Sequence, residues 1–133
     1  MTDRSAIIVF AHGANDPEWA RPMQRVQAAV RRLLPDTAVE LAFLERMDPT
    51  LEQAVSHLVD AGTQRITIVP LFLASGGHIK QDLPALIARL QTQHPTVRLA
   101  ATTPIGDDEE LLAAIAAWVA RKHQGRVADE SQR

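Results

Sequence analysis

ITIVPLFLASGGHIKQDLPALIARL, residues 66–90, reads as one complete βα unit and sets the pattern for the rest of the chain. Residues 66–69 are a short apolar, β-branched run, as expected of a strand covered on both faces. Pro70 has no N–H to give to a ladder, which places it near the strand's end or at a bulge. A glycine loop carrying His78 follows, and then Leu83, Leu86, Ile87 and Leu90 recur at helical spacing. A strand that runs through a glycine loop into a helix is the building block of parallel α/β sheets.

The same alternation extends in both directions. Residues 6–10 form a first apolar strand, followed by a helical stripe of Trp19, Met23, Val26, Val30 and Leu33, with Pro17 and Pro22 near its start. Trp19 and Met23 are expected in the core. Residues 39–44 form a second strand. Asp48-Pro49 reads as a cap followed by proline at the first helical position, with Leu51, Ala54, Val55, Leu58 and Val59 as the buried face and Gly62 as a left-handed stop. Residues 97–101 form the fourth strand. Leu111, Leu112, Ile115, Trp118 and Val119 mark a last helix with an acidic first turn, which suits the helix dipole. The expected fold is α/β: a (βα)₄ four-stranded parallel sheet, flavodoxin-like, with helices on both faces. Strand order 2-1-3-4 is favoured because it puts a switch point between strands 1 and 3. Residues 1–122 form one domain, and the polar tail 123–133 is expected to fray.

Composition narrows the function classes. The 133 residues suit one domain, and 46% hydrophobic content supports an ordinary core. A net charge of −2 argues against general nucleic-acid binding. The chain has no cysteine, which excludes thiolate metal sites and thiol nucleophiles. No stretch resembles a signal peptide or a membrane span, so a cytoplasmic protein with no membrane partner is expected.

In this architecture ligands bind at the carboxyl ends of the strands. Two histidines fall there: His12 just beyond the first strand, beside Gly13, and His78 after the third. Neutral imidazole binds divalent transition metals and accepts protons near neutral pH. Glu45, at the end of the second strand, reaches the same edge, and a His₂Glu set can hold a divalent metal with positions left open. His57, His94 and His123 read as surface or capping residues. The glycine spacing matches neither a dinucleotide fingerprint nor a Walker loop. A histidine phosphatase reading of His12 lacks the arginine that should precede it, since that position is Ala11.

The segments VFAHGANDP (9–17), LAFLERMDPTLEQAV (41–55) and IVPLFLASGGHIKQDLP (68–84) together resemble the small CbiX/SirB-type class II chelatases. The likeness runs from about Ala6 to Val119. It implies insertion of Co²⁺, Fe²⁺ or Ni²⁺ into sirohydrochlorin for cobalamin- or sirohaem-type tetrapyrroles, with the metal as substrate and no organic cofactor. It assigns metal-binding and proton-accepting roles to His12 and His78, with Glu45 as the acidic partner. Phe72 and Leu73 are expected to pack on the macrocycle, and Arg46 and Lys80 to meet its carboxylates. Longer relatives carry two such domains in tandem, so a short single domain is expected to work as a homodimer. One departure stands beside His12: many relatives continue with serine and arginine, whereas this chain has Ala14-Asn15. A metal or tetrapyrrole carrier is the non-catalytic alternative.

Overall fold

The computed structural model describes residues 4–74 and 77–132, apart from the side chains at 77, 78 and 80. Strands β1 (Ser5–Ala11), β2 (Ala38–Phe43), β3 (Arg65–Pro70) and β4 (Arg98–Ala101) form one parallel sheet in the order β2-β1-β3-β4. This is the order expected from the sequence. Helices α1 (Ala20–Leu33), α2 (Leu51–Asp60), α3 (Gly77–Gln93) and α4 (Glu109–Ser131) follow the strands in turn. Short 3₁₀ turns at Pro17–Trp19 and Ile105–Asp107 lead into α1 and α4.

The two-residue period of β1 divides the core. Ala6, Ile8 and Phe10 join Ile66 and Ile68 of β3 under Leu51, Ala54, Val55 and Leu58 of α2 and Leu90 of α3. Val9 and Ala11 point the other way, meeting Val39, Leu41 and Phe43 of β2 and Ala20 and Met23 of α1. Each large apolar side chain fully removed from water contributes about 1.5–3 kcal/mol. β1, paired on both edges and covered on both faces, is therefore the firmest element, and it leads directly to His12.

Four local expectations are corrected. The cap of α2 is Thr50, not Asp48: its hydroxyl accepts from Gln53 N–H while the Gln53 side chain accepts from Thr50 N–H. That reciprocal capping box satisfies two orphan amides, so Asp48 and Pro49 stay outside the helix. Trp19 lies in the 3₁₀ turn and is 56% exposed, because the chain turns on Asp16 before α1 begins. α3 begins at Gly77, which brings the backbone of His78 into its first turn. The tail is helical rather than frayed, since α4 continues through Ser131. Helices cover both faces as expected, α1 on one and α2 with α3 on the other, but α4 has no buried residue.

Candidate functional site

Backbone hydrogen bonds assemble the carboxyl edge of the sheet. Beyond the ladder of β1 and β2, Leu44 N–H donates to Ala11 C=O at 2.8 Å and Glu45 N–H donates to His12 C=O at 3.1 Å. Gly13 makes this closeness possible. Its φ is +89°, and a Cβ there would overlap the carbonyl oxygen of Glu45. Only glycine adopts that conformation at little cost and leaves the space clear. On the other side of β1, Leu71 N–H donates to Phe10 C=O at 2.8 Å, which draws the β3 exit alongside.

The His12 ring rests on Phe72, with centroids 4.3 Å apart and planes tilted by 42°. Phe72 packs in turn on Phe10, 5.5 Å between centroids. Phe72 is 1% exposed, so its expected role against a macrocycle is corrected: its apolar surface is used up in the core and beneath the imidazole. Leu73, the next residue, is 61% exposed at the edge, where a flat apolar ligand could reach it.

Glu45 and Arg46 both lie at this edge and are more than half exposed. Their carboxylate and guanidinium are 3.9 Å apart, a loose and well-screened pair. Arg46 has φ +67°, a left-handed conformation uncommon for a residue other than glycine. The sequence-level candidates His78 and Lys80 have side chains outside the described residues. Among the described residues, no three His, Asp or Glu side chains converge on one point. The structure thus joins His12 to Glu45 through the backbone and leaves the third expected donor unplaced.

Two recesses flank the end of β1. One, of about 490 Å³, is bounded by Phe10, Leu44, Glu45, Ile79, Asp82 and Leu83. The other, about 230 Å³, is formed by Ala11, His12, Trp19, Pro22, Met23 and Leu71. A larger apolar cavity of about 780 Å³ lies between α3 and β4 and touches neither His12 nor Glu45. Trp19 is the functional candidate that sequence reasoning missed. Helical spacing assigned it to the core, whereas the 3₁₀ turn holds its ring out beside His12. The proline on each side of it was the available signal. His57 is a surface residue, its Nδ1 3.5 Å from the Glu40 carboxylate, in keeping with the role expected of it.

No helix among the described residues is long and apolar enough to cross a membrane. The chain matches the CbiX family model over residues 6–122. It is 31% identical to the sirohydrochlorin cobaltochelatase of Methanosarcina barkeri, over 82% of this chain and 89% of that protein. It is 30% identical to the sirohydrochlorin ferrochelatase of Bacillus subtilis, over 84% of this chain but only 43% of that longer protein. Its fold is similar to that of a cobalamin (vitamin B12) biosynthesis CbiX protein from Marinobacter aquaeolei VT8, with a TM-score of 0.78, 32% identity, and 90% and 98% of the two chains covered. With the strand order, the paired β1 and β2 exits and the histidine at the sheet edge, these matches place the chain in the CbiX family.

Proposed function

We propose that this chain is a sirohydrochlorin chelatase, a lyase that inserts Co²⁺, Fe²⁺ or Ni²⁺ into the free macrocycle. The observation that carries the reading is His12: a histidine locked by its backbone to Glu45 at the ligand edge of a CbiX-family sheet. The divalent ion is the second substrate, and no organic cofactor is required.

Insertion exchanges one M²⁺ for the two pyrrolic protons of the macrocycle. His12 and His78, with Glu45, hold the ion before transfer, and imidazole can do so only when unprotonated. As the ion passes from these groups to the macrocycle, they accept its two pyrrolic protons, one after the other, and release them to solvent. Phe72 sets the tilt of the His12 ring, so the imidazole need not be ordered at the moment of transfer. Leu73 and Trp19 offer exposed apolar surface on either side of His12, and Arg46 and Lys80 supply charge for the substrate's carboxylates.

The active form is a homodimer, located in the cytoplasm. Neither recess beside β1 is large for a macrocycle, and the B. subtilis relative is more than twice as long as the segment it shares with this chain. A second copy would supply the opposing wall.

The test mixes metal-free protein, sirohydrochlorin and each of Co²⁺, Fe²⁺ and Ni²⁺, and follows the macrocycle absorption bands. Acceleration over the spontaneous rate, lost in His12→Ala and His78→Ala, is the expected result. Binding of ion or macrocycle without acceleration would replace the enzyme by a carrier.

A further inference from the structure

The two recesses that flank the end of β1 differ in chemistry. Phe10 and Ala11 point to opposite faces of the sheet, and each lines one of them. The recess on the α1 side is formed by Ala11, His12, Trp19, Pro22, Met23 and Leu71, and the imidazole is its one ionisable group among the described residues. The recess on the α3 side carries Glu45, Asp82 and Arg89 among apolar neighbours. Arg89 donates to the Glu52 carboxylate at 2.9 Å, so its charge is already answered. That recess is acidic, and its counterpart is not.

Trp19 is the largest side chain of the α1-side recess and is 56% exposed. Its backbone is pinned on both sides. Trp19 N–H donates to Asp16 C=O at 3.0 Å, and the Asp16 carboxylate accepts from Glu18 N–H at 2.9 Å. Pro17 opens the turn, and Ala20, the next residue, is buried against the core. The indole is therefore presented on a turn that binding need not order. The two acids of the turn are engaged, Asp16 in its cap and Glu18 4.0 Å from Arg21.

The two substrates differ in the same way as the two recesses. The macrocycle of sirohydrochlorin is flat and conjugated, and its rim carries carboxylates. Aromatic rings gain by stacking in offset or tilted pairs, and exposed indole suits a ligand with an apolar face. Carboxylates brought against Glu45 and Asp82 would meet like charge, which is costly where water is displaced. A divalent cation has the opposite preference.

We propose that Trp19 seats the macrocycle on the α1 side of His12, one edge of the ring stacked on the indole, while the ion reaches His12 from the Glu45 side. The inference rests on the chelatase reading above and adds the side that each substrate takes. A recess of about 230 Å³ takes an edge of the ring and not the whole. The remainder lies across the mouth of the site, over His12. Trp19 is thus a binding residue for the macrocycle and has no part in holding the metal.

Binding is read without metal, from the change in sirohydrochlorin absorption on titration with metal-free protein. Trp19→Ala should raise Kd about tenfold or more, and Trp19→Phe, which keeps a ring, should raise it less. Trp19→Leu, apolar but not aromatic, should behave as Trp19→Ala and replaces it if that variant does not fold by far-ultraviolet dichroism. Ala85→Phe narrows the α3-side recess and should leave Kd at the parental value. In the insertion assay the loss of the indole should raise KM for the macrocycle and leave KM for Co²⁺ unchanged. A parental Kd without the indole overturns the proposal, and so does a rise in Ala85→Phe as large as that in Trp19→Ala. A dimeric parent that becomes monomeric by light scattering on losing the indole also overturns it, because the ring would then face a second copy. A parent chain that binds no sirohydrochlorin overturns the chelatase reading together with this one. A parent that binds and inserts, with Trp19→Ala binding equally well, overturns this one alone.

Discussion

Gly13→Ala tests whether the site depends on the close approach of two loops. At φ +89° an L-residue is strained by about 1–2 kcal/mol. The added methyl also overlaps the Glu45 carbonyl oxygen, a backbone atom that no rotamer change can move aside. Relief requires the β1 and β2 exits to part, which breaks the 3.1 Å bond from Glu45 N–H to His12 C=O. A net hydrogen bond adds about 0.5–1.5 kcal/mol, so the total is about 1.5–3.5 kcal/mol. Gly62→Ala is the internal control. Its φ is +90°, but the nearest atom to the new Cβ is Nη1 of the flexible Arg4, at 3.3 Å. Only the backbone strain of about 1–2 kcal/mol should remain there. For a domain of this size Tm should fall by roughly 10 °C in Gly13→Ala and roughly 5 °C in Gly62→Ala. Activity separates the two more sharply. Measured where both are folded, Gly62→Ala should insert metal at the parental rate, whereas Gly13→Ala should lose at least about tenfold from the displacement of His12 relative to Glu45. Thermal melts and the absorption assay together decide it. If Gly13→Ala matched Gly62→Ala in both, the contact would have no part in the site.

Three further outcomes are expected. Thr50→Ala removes the hydroxyl half of the α2 capping box and should cost about 1 kcal/mol in urea unfolding, with the insertion rate unchanged. Phe72→Leu keeps most of the core volume but takes away the ring beneath His12; stability should fall by less than about 2 kcal/mol, while kcat falls and KM changes little. Gly106→Ala sets a methyl against the Leu73 carbonyl, an overlap that should cost about 1–3 kcal/mol in urea unfolding.

The strand order was legible because each strand is a short apolar run and each helix a separate stripe. Parallel βα units then leave few topologies, and the pull of ligand chemistry toward the point between strands 1 and 3 chose among them. Reading failed where the period of two or 3.6 is interrupted. Pro70 ends β3, and beyond it the alternation that assigns side chains to faces no longer applies. Leu71, Phe72 and Leu73 are equally apolar on paper; only the hydrogen bonds of the exit decide that Phe72 turns inward and Leu73 outward. Trp19 failed for a related reason. Its spacing to Met23 fits a helix, but Asp16 and Pro17 wind that turn as 3₁₀ and rotate the ring out of the stripe.

The site was legible as residue types and not as a constellation. His12 and Glu45 lie 33 positions apart, and nothing in their local sequence relates them; the register of β1 on β2 does, pairing Ala11, one residue before His12, with Phe43, two residues before Glu45. Gly13 is the one residue whose sequence context could have signalled the contact, because a glycine directly after a strand-end histidine is what a crossing backbone requires. α4 marks the opposite limit. Its stripe is plain in the sequence, but periodicity states only that a face must be covered and never by which chain. In this domain Gly106 and Asp108 root the helix at the β3 exit, and no residue along its length is buried. The Leu73 carbonyl that Gly106 presses against belongs to the loop that carries Phe72 under His12. A change at the root of α4 is therefore expected to reach the His12 imidazole through Leu73 and Phe72.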